Sequence, residues 1–215
     1  MSMLIKVCGM REPENIRAVE ALGVDCLGFI FYPSSPRYVA EPPTYLPTKA
    51  QRVGVFVDAD LNTILDHVGD YGLTAIQLHG HETPAEVDAL RSALSLLCRQ
   101  TDKPRPLIIK ALSVASASDL LATSDFVPFV DAFLFDTRTP LPGGSGQQFD
   151  WSLLSVYTAP RPFILSGGIG PDDVDRLGAF SHPKLLGIDL NSRFETAPAL
   201  KDVDALRRFI TQLRD

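Results

Sequence analysis

The sequence has little of several features that mark specialised classes of protein. It contains only three cysteines in 215 residues and no CxxC spacing, so it predicts neither a disulfide framework nor a structural zinc site. The 20 Lys and Arg residues are outnumbered by 26 Asp and Glu, which argues against a surface that binds nucleic acid. No apolar run approaches the length of a membrane-spanning helix. We therefore expect neither nucleic acid nor a membrane as a partner.

Two further features bear on location. The first apolar stretch ends at Lys6, which is too early for the apolar region of a signal peptide. The odd number of cysteines indicates free thiols in a reducing compartment. We expect a cytoplasmic protein. The pair His79 and His81 has no other His or Cys nearby in the sequence, and isolated histidines are seldom metal ligands, so we predict no metal site.

Short apolar segments rich in β-branched residues recur along the chain. Most are too continuously apolar for a sheet with one solvated face, which is typical of parallel strands buried on both sides. The predicted strands are Leu4–Cys8, Cys26–Phe31, Arg52–Val57, Ala75–Leu78, Leu107–Ala111, Ala132–Asp136, Phe163–Ser166 and Leu185–Asp189. The segments with helical spacing between them are Pro13–Leu22, Leu61–Val68, Pro84–Leu97, Ala117–Ala122, Pro171–Phe180 and Asp202–Leu213. The connections after the second and sixth strands are rich in Pro or Gly and favour a helix less.

This alternation predicts an α/β protein with a single (β/α)8 TIM barrel. Eight strands in 215 residues leave about 27 residues for each unit, near the lower limit for this fold. An open, doubly wound parallel sheet is the alternative, but it has fewer strands. No change in composition marks a boundary, so we expect one domain over residues 1–215.

In such a barrel, ligands meet the carboxyl ends of the strands. Cys8 ends the first predicted strand and Asp136 ends the sixth, after four apolar residues. A carboxyl in apolar surroundings is suited to general acid catalysis, although Asp136 could also simply cap the following loop. Cys26 and Cys98 are expected to be small buried apolar residues. Because strands one and six lie apart around the ring, Cys8 and Asp136 could act on different atoms of one ligand.

Two loops have the composition of anion-binding segments. Ser166-Gly167-Gly168-Ile169-Gly170 follows the seventh strand, where barrels commonly hold phosphate and where glycines let the backbone approach an anion. A plain chain reversal is the alternative for this turn. Arg37 lies in a loop stiffened by two prolines after the second strand, and it is a candidate to bind a carboxylate rather than an ordinary surface arginine.

At these residues the sequence resembles the phosphoribosylanthranilate isomerase family. Lys6-Val7-Cys8-Gly9-Met10 is similar to the motif of the family's first strand, and Gln77-Leu78-His79-Gly80 to that of its fourth. The other similar segments are Ser35–Val39, Val53–Val57, Phe135-Asp136 with Gly143 to Gly146, Phe149-Asp150-Trp151, Ser166-Gly167-Gly168, and Glu195 with Lys201-Asp202. Each is short, but together they run through the whole chain in the family's order.

The resemblance implies an Amadori rearrangement of N-(5-phosphoribosyl)anthranilate, without metal or organic cofactor, by a monomer or homodimer. It implies that Asp136 is the general acid that opens the sugar ring and that Cys8 is the base at C2′. Arg37 would hold the carboxylate of this phosphorylated sugar-anthranilate substrate. The phosphate would be held by the seventh and eighth loops, that is by Gly167, Gly168, Asn191, Ser192 and Arg193.

The sequence departs from the family pattern at two positions. Arg193 stands where the family usually has the Gly of a Ser-Gly pair, and Ala199 where it has the Gly of a Pro-Gly pair. These changes leave the geometry of the phosphate site open. A barrel that only binds a phosphorylated metabolite is the rival from another class, but binding alone needs neither a thiol base nor an acid. Other phosphosugar barrels would need a catalytic lysine or metal-binding acids that are absent from matching positions.

Overall fold

The computed structural model describes residues 3–137 and 150–214. Its centre is a closed barrel of eight parallel strands that follow one another in chain order, so the predicted TIM barrel is confirmed and the open sheet is excluded. The strands are β1 Leu4–Val7, β2 Cys26–Ile30, β3 Gln51–Phe56, β4 Ala75–Leu78, β5 Leu107–Val114, β6 Ala132–Thr137, β7 Phe163–Leu165 and β8 Leu185–Leu190.

The helices cover the outside of the barrel. They are α1 Pro13–Glu20, α2 Leu61–Tyr71, α3 Pro84–Thr101, α4 Thr123–Phe126, α5 Val174–Ala179 and α6 Val203–Arg214. Short 3-10 turns lie at Ala117–Ala122, Trp151–Val156, Pro171–Asp173 and Ser192–Phe194, and a small antiparallel hairpin is formed by β9 Glu195–Ala197 and β10 Leu200–Lys201. Two predicted helices differ in type from the expectation. Ala117–Ala122 has the predicted bounds but is a 3-10 helix that precedes α4, and Pro171–Phe180 consists of a 3-10 turn followed by the six residues of α5.

The helix ends follow local chemistry. The side chain of Asp60 accepts the N–H of Thr63 at 3.0 Å and begins α2, and Gly72 ends that helix in the left-handed conformation at φ 57°. Thr83 and Glu86 accept each other's backbone N–H groups and begin α3. These contacts satisfy backbone groups that the ends of a helix leave unpaired.

The barrel encloses a layer of mostly small apolar side chains. They are Leu4, Cys26, Val53, Ala75, Ile109, Ala111, Ala132, Leu134 and Ile164. A second and larger apolar core lies between the strands and the helices and includes Phe29, Phe56 and Phe133. Because both faces of the strands are largely buried, the strands are mostly apolar, as the sequence predicted. Near the carboxyl ends of the strands, the described polar side chains of Gln77, Asp136 and Asp189 face the interior.

The connection between β2 and β3 has no helix, in keeping with its proline content. Instead, one carboxylate at the end of α1 holds it. Glu20 accepts the N–H groups of Thr48, Lys49 and Ala50 at 2.7, 2.6 and 3.0 Å, and it also accepts the hydroxyl of Tyr45. Burial raises the pKa of Glu20, but these hydrogen bonds outweigh burial and hold the pKa below its usual value.

The substitution Glu20→Gln should lower the free energy of unfolding by about 1–3 kcal/mol at pH 7, because a neutral amide loses the charge-assisted hydrogen bonds. The depressed folded-state pKa means that the contribution of Glu20 is present above the unfolded pKa of about 4.3. It is lost as the pH falls through the folded value. Urea unfolding across this range should therefore show the two proteins converging in acid.

Glu14→Gln is the matched control, because Glu14 lies on the same helix with 90% of its side chain exposed. This variant should unfold like the wild type at every pH. A difference between wild type and Glu20→Gln that stays constant with pH would contradict the assignment.

Candidate active site

A cavity opens at the carboxyl ends of the strands, the end at which barrels bind ligands. Six of the eight predicted site residues line it, namely Cys8, Asp136, Gly167, Gly168, Asn191 and Ser192. Arg37 and Arg193 lie outside the lining. The segment from Gly143 to Gly146, and Phe149, which belong to the family-like pattern, lie outside the described residues. The fold therefore brings the thiol, the carboxyl and the glycine turn to one place.

Cys8 lies one residue beyond β1 and is 3% exposed. Its backbone N–H donates to the carbonyl of Leu190 at 2.9 Å. Gly28 on the neighbouring strand leaves room for the thiol, since a Cβ atom at Gly28 would lie only 2.8 Å from Sγ. Cys26 is buried in the barrel interior, as predicted, whereas Cys98 on α3 is only partly buried.

Two lysines, Lys6 and Lys201, lie near the thiol of Cys8. Burial raises the pKa of Cys8, and the ammonium groups of Lys6 and Lys201 act in the opposite direction. Lys6 lies 1% exposed inside the barrel, where its Nζ is 2.8 Å from Oδ1 of Asp189. Burial acts to lower the pKa of Lys6, but the attraction of Asp189 and Cys8 outweighs burial and raises it above its usual value. The sequence left open whether Lys6 points inward, and the structure shows that it does.

Asp136 lies on β6 and lines the same cavity as Cys8. Its side chain is 25% exposed, so it is less deeply buried than the preceding apolar residues indicated. Nε2 of His79 is 3.5 Å from Oδ2 of Asp136, and the amide nitrogen of Gln77 lies 2.8 Å from Nδ1 of His79. Gln77 on β4 and His79, one residue beyond it, are two residues apart, so both side chains face the cavity. Together they orient a ring N–H towards the carboxylate, a role that sequence reasoning did not find.

The turn after β7 depends on its glycines. Gly167 and Gly168 have φ angles of 89° and 73°, a backbone conformation that other residues rarely adopt. Both line the cavity, so the backbone rather than a side chain forms this wall. The N–H of Gly170 donates to Oδ2 of Asp173 at 2.7 Å, and it is therefore engaged within the loop.

Arg37 is 7% exposed, which excludes the ordinary surface arginine. Its Nε lies 2.9 and 3.0 Å from the two carboxylate oxygens of Glu195, and Nη2 lies 2.6 Å from Oε2. Lys201 Nζ donates to Glu195 at 2.7 Å and to Oδ1 of Asn191 at 2.7 Å. Burial raises the pKa of Glu195, but Arg37 and Lys201 together hold it below its usual range. This buried cluster contains two cations and one carboxylate.

The cluster of Arg37, Glu195 and Lys201 lies next to Gly9, the residue that follows Cys8. A Cβ atom at Gly9 would lie 2.7 Å from Cδ of Arg37 and 2.9 Å from Oδ1 of Asn191, and the φ of Gly9 is 77°. Arg37 thus packs directly behind the residue that follows Cys8. Sequence reasoning did not predict the pairing with Glu195, which lies 158 residues away in the chain.

The two departures from the family pattern differ in their backbone. Arg193 lies in a 3-10 turn and does not have a positive φ, so this position does not require glycine. Its side chain is exposed and lies over Gly170, where a Cβ atom would be 2.9 Å from Nε. Ala199 has a φ of 66° and is fully buried, so it adopts the conformation that glycine favours.

The two neighbouring histidines do not meet. His79 faces the cavity, whereas His81 has a 96% exposed side chain and lies 3.2 Å from Asp58. Within residues 3–137 and 150–214, no three His, Cys, Asp or Glu side chains are arranged to hold a metal ion. Nor do these ranges contain a helix of the length and apolarity needed to cross a membrane.

Comparison with known proteins gives one consistent result. The family model for N-(5′-phosphoribosyl)anthranilate (PRA) isomerase matches residues 5–212. The chain is 48% identical over 212 residues to the N-(5′-phosphoribosyl)anthranilate isomerase of Phocaeicola vulgatus, covering 99% of this chain and 98% of the relative. The phosphoribosyl anthranilate isomerase of Thermus thermophilus superposes with a TM-score of 0.81 at 27% identity, covering 99% and 98% of the two chains.

A second solved structure carries a ligand. It is a phosphoribosyl anthranilate isomerase in complex with reduced 1-(o-carboxyphenylamino)-1-deoxyribulose 5-phosphate, with a TM-score of 0.75 and 32% identity. The match covers 99% of this chain and 98% of that one. The family model, the sequence relatives and the solved structures agree. The chain belongs to the N-(5′-phosphoribosyl)anthranilate isomerase family.

Proposed function

We propose that this chain catalyses the Amadori rearrangement of N-(5′-phosphoribosyl)anthranilate to 1-(2-carboxyphenylamino)-1-deoxyribulose 5-phosphate, a step of tryptophan biosynthesis. The observation that carries the proposal is that Cys8 and Asp136 line one cavity together with the turn at Gly167 and Gly168. A protein that only bound the metabolite would need neither a base nor an acid. We further propose that residues 1–215 act as one cytoplasmic catalytic domain, as a monomer or a homodimer.

In the proposed first step, Asp136 acts as the general acid. The carboxylic acid gives its proton to the ring oxygen of the sugar while the bond between C1′ and that oxygen breaks. The nitrogen lone pair forms a protonated Schiff base at C1′. His79, held by Gln77 at 2.8 Å, lies beside the carboxyl and limits its orientation.

In the second step, the Cys8 thiolate takes the proton from C2′. The electrons of that C–H bond form a double bond between C1′ and C2′ and neutralise the nitrogen, which gives an enolamine. Transfer of a proton to C1′ and loss of the 2′-hydroxyl proton then give the ketone. The substrate and product are isomers, so a proton must pass from the Cys8 thiol to the Asp136 carboxylate before the next turnover. Cys8 and Asp136 would supply the base at C2′ and the acid at the ring oxygen.

The two anionic ends of the substrate would be bound by different groups in and beside the cavity. We assign the phosphate to the backbone of Gly167 and Gly168 and of Asn191, Ser192 and Arg193 in the eighth loop. We assign the anthranilate carboxylate to Arg37. Glu195 uses the Nε edge of that guanidinium, and a guanidinium has five N–H donors, so the Nη1 edge has the donors for a second carboxylate.

The catalytic pair is tested by substitution. Cys8→Ala should lower kcat by at least ~10²-fold while substrate still binds, and Cys8→Ser should be nearly as poor because a hydroxyl ionises far less readily. Asp136→Asn should fail similarly, because an amide cannot deliver the proton. Turnover is followed by loss of the fluorescence of freshly made substrate.

Cys98→Ala is the matched control, because this thiol is on α3 away from the cavity, and it should retain the wild-type rate. Near-normal kcat in Cys8→Ala or Asp136→Asn would remove that residue from the mechanism. A wild-type protein with no turnover above spontaneous decay would leave a binding protein as the better description.

Substitution of Arg37 should act on substrate binding. Loss of a charge-assisted bond worth about 1.5–3 kcal/mol predicts that Arg37→Ala raises KM by roughly 10- to 100-fold. Arg37→Lys should raise it less, because lysine keeps the charge without the planar pair of donors. An analogue without the carboxylate should bind the wild type and Arg37→Ala alike. Arg207→Ala, on the exposed face of α6, is the control, and an unchanged KM in Arg37→Ala would exclude the assignment.

Arg193 is expected to contribute its backbone and not its charge to the phosphate site. Its side chain is exposed and lies against Gly170, outside the cavity lining. Arg193→Gly should therefore change KM by less than ~3-fold, well under 1 kcal/mol, and leave the salt dependence of KM unaltered. A rise of tenfold or more at constant kcat, with weaker sensitivity to salt, would instead assign the guanidinium to the phosphate.

A further inference from the structure

A buried ion pair lies directly beneath the thiol. Lys6 and Cys8 are two residues apart along the same strand, so their side chains face the same way, into the barrel. The pairing of β1 with β8 aligns Lys6 with Asp189, and their charged atoms are 2.8 Å apart. The exposed fractions of the two side chains are only 1% and 6%.

A buried ion pair is a costly way to fill the interior of a barrel. Removing two charges from water is costly, and apolar residues of similar volume commonly replace a buried ion pair with no loss of stability. The layer below it is filled by apolar residues such as Leu4, Val53 and Ala75. Packing alone therefore does not account for Lys6 and for Asp189, which also lines the cavity. The position of the Lys6 ammonium is best explained by the group that it faces.

The group above Lys6 is the thiol of Cys8. The charged groups around Cys8 are Lys6 on its own strand, Asp189 on β8 and Lys201 on β10. Asp136 on β6 and His79, one residue beyond β4, line the same cavity as Cys8. Since burial raises the pKa of the thiol, its ionisation depends on a nearby cation to offset the loss of water.

We propose that Lys6, held in place by Asp189, is a positioning residue that stabilises the thiolate of Cys8, and that Asp189 limits the positive charge that the thiol experiences. The consequence for catalysis rests on the proposed function, in which Cys8 is the base. The electrostatic claim itself does not depend on turnover. It predicts shifts of opposite sign on removing the two charges, because the cation favours the thiolate and the carboxylate opposes it.

The experiment titrates Cys8 in a chain that carries Cys26→Ala and Cys98→Ala, so that Cys8 is the sole thiol. The ultraviolet absorbance of the thiolate is followed against pH. Lys6→Met should move the Cys8 titration upward by about one pH unit or more, which is a tenfold loss of thiolate at a fixed pH below the midpoint. Asp189→Asn should move it downward, because the lysine then has Cys8 as its nearest anion. Lys6→Arg should keep the wild-type midpoint within a few tenths of a unit.

Lys110→Met is the matched control. Lys110 is also a buried lysine, 2.7 Å from Glu82, but it lies on the outer side of the barrel. This variant should destabilise the fold without moving the Cys8 titration. Shifts of the same sign in Lys6→Met and Asp189→Asn, or a shift in Lys6→Met no larger than that in Lys110→Met, would overturn the proposal.

Two further measurements distinguish failure of the electrostatic proposal from misfolding of a variant and from failure of the proposed function. If circular dichroism shows that Lys6→Met does not fold, the sign of the shift in Asp189→Asn decides, with a rise overturning the proposal. In active protein, the pH dependence of kcat should move with the Cys8 titration in each variant. An inactive wild type that shows these opposite shifts would contradict the proposed function and leave the electrostatic assignment standing.

Discussion

The molecule depends on the seam at which the first strand pairs with the last. Parallel pairing of β1 with β8 closes the barrel, and it requires Gly187, because a side chain there would collide with the carbonyl of Leu4. The register of this seam aligns Lys6 with Asp189 and ties the backbone of Cys8 to Leu190. A slip of one residue would turn every side chain of β1 to the opposite face. The position of the thiol and its nearest cation are thus consequences of barrel closure.

Electrostatics at the mouth of the barrel differs from that of the whole chain. The net formal charge is −6, yet the cluster of Arg37, Glu195 and Lys201 behind Gly9 combines two cations with one carboxylate. A local excess of positive charge inside an acidic protein suits a ligand that carries a carboxylate and a phosphate. The ion pair of Lys6 and Asp189 has no net charge, so its effect on the thiol depends on how the cation and the carboxylate are placed relative to Cys8.

Several parts of the fold were predictable because they rest on local chemistry. The apolar strands, the start of α3 at Pro84 and the turn at Gly167 and Gly168 all appear where their residues indicated. The helix after the second strand was weakly indicated and is absent, and Glu20 of α1 supplies the backbone contacts instead. This role of Glu20 was not predictable, because nothing near Glu20 in the sequence shows which backbone amides it contacts.

Spacing and residue type within a few neighbours predicted the order of strands and helices, the barrel, and the thiol, carboxyl and glycines that end its strands. Three features emerged only from the folded structure: Lys6 points inward, Arg37 is buried against Glu195, and Ala199 rather than Arg193 adopts the glycine-like backbone. Each of these depends on contacts between segments far apart in the chain. Strand register and closure of the barrel set these contacts, and neither can be predicted from the residues that neighbour Lys6, Arg37 or Ala199 in the sequence.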